Sequence, residues 1–552
     1  MFGAGGGTSS YREIEETDVI VLWGSNARET HPIFFHHVLK GVRNGARLYA
    51  VDPRRTSSSQ WADAWLGVDV GSDIALANAV AREILAAGLE NRAFIERATT
   101  GFDDYARTVE PYTLEEGERL TGVPPGAIRD LAHAYATADR AQICWTLGIT
   151  EHHNAVDNVL ALINLGLLTG HVGRYGSGLN PLRGQNNVQG GGDMGAIPNR
   201  LPGFVDVEDP EGRARFERAW GCTIPPQRGW HLSQMFEAME RGDLRALYVI
   251  GENPADSEAD AGHARHLLEG LDHLVVQDIF LTNTGRLADV VFPAAADWCE
   301  YEGTVTSSER RVQRVRKALD PPGEARPDSL IIADLAARLG NDWGRPSAEQ
   351  VWDELRSLSA MHAGMSYARL EALGGIQWPC PDLGHPGSQY LHGRLWEVPR
   401  GGAPAPFSAV EFVPPLDELT EEFPIRLTTG RRLDSFNTGV QTGGYSSPMR
   451  RREAIWIAPE DGRRLGVSEG ERVQVSSRRG TVAAPVAFDD TLRPGLAFMT
   501  LHSANDVDTN ILTSEVWDPK SGTADFKATA VRIDRSPEPV AARAAAAVAV
   551  GN

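Results

Sequence analysis

Cysteine is scarce in this chain of 552 residues: four are present, Cys144, Cys222, Cys299 and Cys380, and they are widely scattered. No pair has CxxC spacing, so no local metal or cluster motif is visible. Few, unpaired cysteines fit a reducing compartment and lead us to expect a cytoplasmic protein. Long hydrophobic runs are missing too, which argues against a transmembrane helix. The opening residues, MFGAGGGTSSYREIEETD, lack the basic and apolar regions of a signal peptide. Positive charge is in deficit, 54 Lys and Arg against 74 Asp and Glu, for a net charge of −20. That balance argues against a large nucleic-acid surface. No GxGxxG follows the first apolar strand-like run, which counts against direct hydride transfer to NAD. Hydrophobic content of 41% and charged content of 23% are ordinary for a soluble globular chain. Its length suggests about three or four domains.

What the chain has in abundance is glycine and side-chain amide in one stretch, Leu179 to Gly195, LNPLRGQNNVQGGGDMG. It follows a helix-like apolar segment, Val159 to Thr169. Arg183 stands among Asn180, Gln185, Asn186, Asn187 and Gln189. Little of the stretch is apolar, so it is not expected to be a core element in itself. Dense Gly, Asn and Gln mean tight backbone and many fixed donors and acceptors. Such a loop can set a cation and amides against an anion; the alternative is a solvated surface loop.

An internal repeat gives the fold class. Asp18 to Trp23 reads as a strand, Gly24-Ser25-Asn26 as a turn, and Ala27 to Val42 as a helix with Pro32 in its first turn or at a kink. Ala46 to Val51 reads as the next strand, ending at Asp52-Pro53-Arg54-Arg55. This is a βαβ unit, with a ligand crevice expected at the carboxyl ends of its strands. Leu244 to Ile250, Gly251-Glu252-Asn253-Pro254 and Leu274 to Gln277, ending at Asp278, repeat the pattern. Gly24 to Asp52 is 28 positions and Gly251 to Asp278 is 27. Ala62-Asp63 and Ala288-Asp289 each lie 11 further on. Two equivalent nucleotide-like sites are the inference. The alternative is two α/β domains that share only topology.

Around these copies, Ala75 to Ala87 and Pro125 to Ala138 have helical spacing, and Ala141 to Leu147 reads as a strand with Cys144 buried in it. The adjacent pairs His152-His153 and His36-His37 do not suggest a metal site; a ligand-facing polar loop or plain surface is expected for the first pair. Glu300 and Glu302 read as exposed or paired with nearby arginines. Residues 401–424 have linker composition, and the short strands after Ile425 suggest a small barrel. The domain reading is 1–185, a first α/β domain; 186–300, a second; 301–400, a mostly helical connecting region; 401–424, a linker; 425–535, a C-terminal β-barrel; and 536–552, a disordered tail.

LRGQNNVQGGGDMGAIPNRLPG (Leu182 to Gly203), WGSNARETHP (Trp23 to Pro32), VDPRRT (Val51 to Thr56), VQDIFLT (Val276 to Thr282), LTTGRRLDSFNTG (Leu427 to Gly439) and FKATAVRI (Phe526 to Ile533) carry a resemblance. They resemble the catalytic (alpha) subunit of molybdenum- or tungsten-dependent formate dehydrogenases, in the dimethyl-sulfoxide-reductase superfamily of molybdopterin oxidoreductases. RGQNNVQG is the motif that points to formate dehydrogenase among those relatives. The resemblance implies two α/β domains and a barrel around a bis(molybdopterin guanine dinucleotide) cofactor carrying molybdenum or tungsten. One dinucleotide would meet Gly24, Ser25, Asn26, Asp52, Arg54, Gly71 and Ser72, with Trp23, Glu29 and Gly148 in the same binding set. The other would meet Asn253, Gln277 and Asp278. Thr429, Gly430, Arg431, Asn510 and Lys527 of the barrel would close over the pterins. Arg183 matches the active-site arginine that orients formate or steadies negative charge near the metal, and Gln185 joins it as a catalytic residue. Formate is the implied substrate, and electron-transfer subunits or a ferredoxin-like acceptor the implied partners.

Two departures accompany the resemblance. The family's iron–sulfur cysteine motif and its metal-ligating Cys or selenocysteine followed by His match nothing here, and no metal ligand is assigned. FGAGGGTSSYREIEETD resembles the family segment just after that ligand. The expectation is therefore an incomplete reading of a longer enzyme, for example across an in-frame UGA, with the iron–sulfur cluster in the part upstream. The second departure is Glu151, where relatives often place a glutamine near the pterin. Rival readings are another molybdopterin oxidoreductase of the same fold and a catalytically inactive cofactor-binding fragment.

Overall fold

The computed structural model describes residues 2–3, 5–435, 437–439 and 452–536. Its first sheet grows from the run Val19–Trp23 (β1), every residue of which is buried. A strand covered on both faces needs no polar alternation. Pro32 opens helix α1, Pro32–Arg43, where its missing N–H costs nothing. The chain returns in β2, Arg47–Val51, and β3, Ala64–Leu66. Helix α2, Asp73–Ala86, leads into a helical stretch that ends at β4, Ala141–Trp145. Helix α3, Ala155–Thr169, precedes β5, Gly178–Pro181. The five strands pair in parallel in the order β3-β2-β1-β4-β5. The order reverses between β1 and β4, which opens a crevice at their carboxyl ends.

β5 corrects one expectation. The start of the glycine-rich stretch is not a surface loop but a buried edge strand. Asn180 donates to Gln142 Oε1 at 2.7 Å and accepts the Ser9 N–H at 3.2 Å, so its amide is spent in the core. The stretch continues into helix α4, Val188–Asp193, with Gln189, Gly190 and Asp193 buried.

The second α/β unit is a three-stranded parallel sheet: β6, Ala246–Ile250; β7, His273–Asp278; and β8, Val290–Pro293, in the order β8-β7-β6. Helix α5, Ala261–Glu269, joins its first two strands. The internal repeat holds at the level of single bonds. Gly24 and Gly251 have φ of 57° and 64°. Gly24 N–H donates to Val51 O at 2.8 Å, and Gly251 N–H to Gln277 O at 2.9 Å. Asp52 accepts the Arg54 N–H at 2.9 Å, and Asp278 the Phe280 N–H at 3.2 Å. Asp63 accepts the Leu48 N–H at 2.8 Å, and Asp289 the Leu274 N–H at 2.7 Å. The likeness is thus more than topology, although the second sheet is smaller and its strands are half exposed.

The connecting region is less helical than its composition suggests. It holds β9, Gly303–Thr306, β10, Arg311–Val315, three helices (α6, Asp328–Arg338; α7, Ala348–Leu358; α8, Tyr367–Leu373) and β11, Ile376–Gln377. The three strands form an antiparallel sheet. Thr304, Val305, Thr306, Val312 and Val315 are β-branched and favour strands, a signal masked by the surrounding charge. Beyond Trp378 the backbone is mostly irregular up to residue 400.

Residues 401–424 do not hang free. Ala405–Pro406 pairs in parallel with Thr99–Thr100, and Phe407 stacks on Tyr105 at 4.9 Å. Asn164 and Asn78 of the first domain donate to Ser408 O and Val410 O at 2.7 and 3.0 Å. Proline and glycine here shape a strap bound to the first domain.

The last domain is a closed six-stranded barrel made of β12, Ile425–Gly430; β13, Ile455–Ile457; β14, Arg472–Ser476; β15, Thr481–Phe488; β16, Leu496–Thr500; and β17, Thr529–Arg535. Their order is β12-β16-β13-β15-β14-β17. Val473, Val475, Ala484, Ile455 and Leu427 fill its interior. Arg493 ties it to the first domain, donating to Val68 O at 2.9 Å and Asp69 at 2.8 Å. The tail from residue 537 lies outside the described residues. No described helix is long and apolar enough to cross a membrane.

Candidate active site

Two cavities lie between the domains. The first, of about 320 Å³, opens at the carboxyl ends of β1, β2 and β4 and is roofed by the barrel. It is lined by Gly24, Asn26, Glu29, Asp52, Arg54, Gly71 and Gly148, and on the barrel side by Thr429, Gly430, Arg431 and Lys527. The second, of about 1080 Å³, opens at the corresponding ends of β6 and β7, with Asn253, Gln277 and Asp278 in its wall and Asn510 on the barrel side. Gln185, Arg431 and Asn437 line both, so the cavities meet there.

Backbone approaches closely in the first cavity. A Cβ on Gly148 would lie 2.5 Å from Gly24 O, and one on Gly24 would lie 2.8 Å from the Gly148 carbonyl carbon. Thr146 Oγ1 donates to Gly24 O at 2.7 Å and fixes the contact. Only glycine at both positions allows this backbone contact. Burial pushes the Asp52 carboxyl up to about 6, although Arg54 pulls the other way. The Arg54 guanidinium lies 3.6 Å over the Phe498 ring, which keeps it turned against the barrel.

Three residues expected at this site do not line it. Trp23 is in the core, its indole N–H donating to Asp73 at 2.8 Å; it places Asp73, which does line the cavity. The Ser72 hydroxyl is spent on Asp69 O at 2.8 Å. Ser25 is buried, and its hydroxyl has no hydrogen-bond partner among the described residues. Gly71, at φ 82°, is close to Pro415 of the strap.

The second cavity is rich in carboxylates: Glu151, Glu252, Asp278, Asp297 and Asp328 line it, with Arg431 as the cation. Burial raises Asp278 and Glu252, and it pushes Asp297 up to about 6, with Asp328 adding to the effect. Gln277 donates to Asp328 at 2.5 Å and accepts from Tyr248, so both ends of its amide have a partner. Asn510 donates to Asp256 O at 2.8 Å. Glu252, Asp297 and Asp328 were not singled out as ligand groups from the sequence. Glu252 stands one residue before Asn253 and was within reach of the repeat pattern. Asp328 comes from the first turn of α6, some fifty residues on, with no local signal.

Between the cavities stands a buried ion pair. Lys527 Nζ lies 2.7 Å from Glu151 and donates to Thr429 O at 3.0 Å. Glu151 lines the second cavity and Lys527 the first. His152 and His153 are buried beside Asp525, at 4.0 and 3.8 Å, so plain surface is ruled out for them. His152 also lines the first cavity.

Arg183 follows β5 and is not itself among the residues lining either cavity. Its neighbours Gly184 and Gln185 line the first cavity. The side chain is open to solvent on one side, yet enough protein surrounds it for desolvation to lower its pKa, with Asp193 opposing. Nε donates to Gln189 Oε1 at 3.1 Å and Nη2 to Gly5 O at 3.0 Å. His31, half-buried and lowered in pKa by desolvation, bonds Arg183 O at 2.7 Å. His31 also escaped the sequence reading; its place between Thr30 and Pro32 at a helix break was the available hint.

Comparison with known proteins agrees with this geometry. Residues 4–338 match the family model described as molybdopterin oxidoreductase, and residues 425–530 that of the molydopterin dinucleotide binding domain. The chain is 40% identical over 539 residues to F420-dependent formate dehydrogenase 2 subunit alpha of Methanococcus maripaludis, covering 97% of this chain and 79% of that protein. It is 36% identical over 554 residues to formate dehydrogenase H of Escherichia coli, covering 99% and 76%. Acetylene hydratase from Pelobacter acetylenicus shares the fold, with a TM-score of 0.74 at 20% identity over 96% of this chain and 79% of that one. The chain belongs to the molybdopterin oxidoreductase family.

Proposed function

We propose that this chain is the cofactor-holding body of a formate dehydrogenase catalytic subunit, which oxidises formate to carbon dioxide. The relatives named as formate dehydrogenases support the substrate. The observation that carries the reading is the position of the Arg183–Gln185 segment, with Gln185 at the junction of the two cavities.

The donor set fits a bis(molybdopterin guanine dinucleotide). Gly24 and Gly148 bring no side chain to the wall of the first cavity, and a Cβ on either would break their backbone contact. Arg431 makes no hydrogen bond among the described residues and lines both cavities, as a cation held for an anionic ligand would. The raised carboxyls of the second cavity need donors, and the guanine edge offers N–H groups to carboxylates. Asp52, Asn26, Gly71 and Gly148 would hold one dinucleotide, and Asn253, Asp278 and Asn510 the other. When bound, its molybdenum or tungsten supplies two-electron redox chemistry. Arg183 binds formate: a planar, permanently charged fork suits a small carboxylate. Gln185 adds amide donors beside it. Electrons would leave to a partner electron-transfer subunit or a ferredoxin-like acceptor.

Cofactor-loaded protein is expected to release guanine nucleotide on acid hydrolysis, and to reduce a dye when given formate. Stoichiometric cofactor and metal with no formate-dependent reduction, for either metal, in a chain that also carries the family's metal-ligating Cys or selenocysteine, would sink the assignment. Arg183→Lys should lower kcat/KM for formate by about tenfold or more, since a point charge replaces a two-pronged donor.

A further inference from the structure

The Arg183 side chain does not stand alone. Gln189, the second residue of helix α4, accepts from Arg183 Nε through Oε1. Its amide nitrogen donates to Gly5 O at 3.0 Å and to Asp193 Oδ1 at 2.9 Å. The amide can face only one way, because its oxygen meets a donor and its nitrogen meets two acceptors. The second oxygen of Asp193 accepts the indole N–H of Trp378 at 2.8 Å. Gln189, Asp193 and Trp378 are 2%, 0% and 1% exposed. His362, also fully buried, brings Nε2 to 3.9 Å from the same Asp193 oxygen, and its Nδ1 meets Ser359 Oγ at 2.8 Å. The row runs from the arginine of the first domain into the connecting region, and it crosses between segments nearly two hundred residues apart.

We propose that Gln189 and Asp193 are positioning residues for Arg183, with Trp378 as their anchor, and that they set the reach of the guanidinium toward formate. The proposal rests on the reading that Arg183 meets the substrate. An arginine side chain has several rotatable bonds and loses rotamer entropy when held still. Here Nε is held by Gln189 and Nη2 by Gly5, and Nη1 has no partner among the described residues. Gly5 O is itself shared with Gln189, so the amide fixes both contacts at once. Asp193 holds the amide in its one productive orientation. It also places a carboxylate near Arg183, where its charge favours the guanidinium.

The test uses cofactor-loaded enzyme carrying Gln189→Leu, Asp193→Asn or Trp378→Phe, with kcat and KM expressed per bound metal. Leucine keeps the bulk of Gln189 without its polar atoms. Asparagine can accept from Gln189 or Trp378 but not from both. Phenylalanine keeps an apolar ring and removes the donor together with part of the indole's volume. Each is expected to raise KM for formate and to lower kcat/KM by roughly tenfold to a hundredfold, the cost of a misplaced substrate-positioning group. Gln189→Leu added to Arg183→Lys should change kcat/KM little further, because the two act as one unit. Additive losses in that pair, or a fall in metal content with KM and kcat per metal unchanged, would overturn the proposal. Should turnover be too low to measure, the crystal structure of Gln189→Leu decides: Arg183 is expected to leave Gly5 O, and a guanidinium still bonded there refutes positioning by Gln189. Wild-type enzyme that ignores formate would count against the substrate, while the arginine's displacement would still be read in that structure.

Discussion

Asn26 and Asn253 hold the same bond in two different domains: the Oδ1 of each accepts a hydroxyl at 2.8 Å, from Ser58 in one case and from Thr284 in the other. Those hydroxyl oxygens in turn accept the N–H groups of Arg28 and Ala255, at 2.9 and 3.0 Å. The asparagine shapes the turn after the glycine and is also a wall of its cavity. The two turns differ in what packs on them, and the difference is measurable.

Gly24→Ala should cost more than Gly251→Ala. Both glycines have left-handed φ, so each alanine should cost about 1–2 kcal/mol from backbone conformation alone. A Cβ at Gly251 meets nothing within 4 Å, whereas at Gly24 it meets the Gly148 backbone at 2.8 Å. Denaturant unfolding of the two variants should therefore separate them by at least about 1 kcal/mol. Equal losses would mean that the Gly24–Gly148 contact relaxes freely.

Breaking the Glu151–Lys527 pair on the lysine side should be severe. Both side chains are under 10% exposed. Lys527→Met leaves a buried carboxylate without its counter-charge, which costs about 3–5 kcal/mol. Glu151→Gln keeps an acceptor for Lys527 and should cost less. The double variant should lose less than the sum of the two, and simple additivity in a thermal or denaturant series would refute the coupling.

Cofactor-free protein should show a pH-dependent penalty from Asp52. Its carboxyl is raised from an ordinary 3.8 to about 6, with burial as the main cause. A raised carboxyl binds its proton more tightly in the folded state, so its contribution is fully present below pH 3.8 and is lost as pH rises through about 6. Asp52→Asn should thus stabilise the cofactor-free chain at pH 8 by up to about 3 kcal/mol, with little gain at pH 4. A pH-independent difference between the two proteins would contradict this.

Arg431→Met separates ligand binding from folding. The guanidinium makes no hydrogen bond among the described residues, so the cofactor-free variant should unfold within about 0.5 kcal/mol of wild type. Guanine nucleotide and metal per chain should fall clearly in the variant. Full occupancy would remove Arg431 from the binding set.

Much of the architecture was legible from spacing. Strand runs such as DVIVLW carry their burial in their composition, and the Gly-Asn-Asp spacing carried the repeat. The barrel was announced by short strands between glycines. The amide-rich stretch was harder. Asn180 looks like the residues after it, yet it lies in a buried strand because Gln142 and Ser9 satisfy its amide. Residues 401–424 read as linker because proline and glycine dominate them, and only packing on Tyr105, Asn78 and Asn164 makes them a strap.

By itself the sequence determined the two α/β units, their glycine turns and strand-end aspartates, and the single arginine set among amides. These depend on residues near one another in the chain, where periodicity and turn chemistry act. Only the tertiary structure decided that Gln185 and Arg431 stand where both cavities meet, that Lys527 is paired with Glu151, and that Trp378 donates to Asp193. Each of those contacts joins distant segments, and a buried polar group finds its partner through three-dimensional packing, which leaves no trace in local composition.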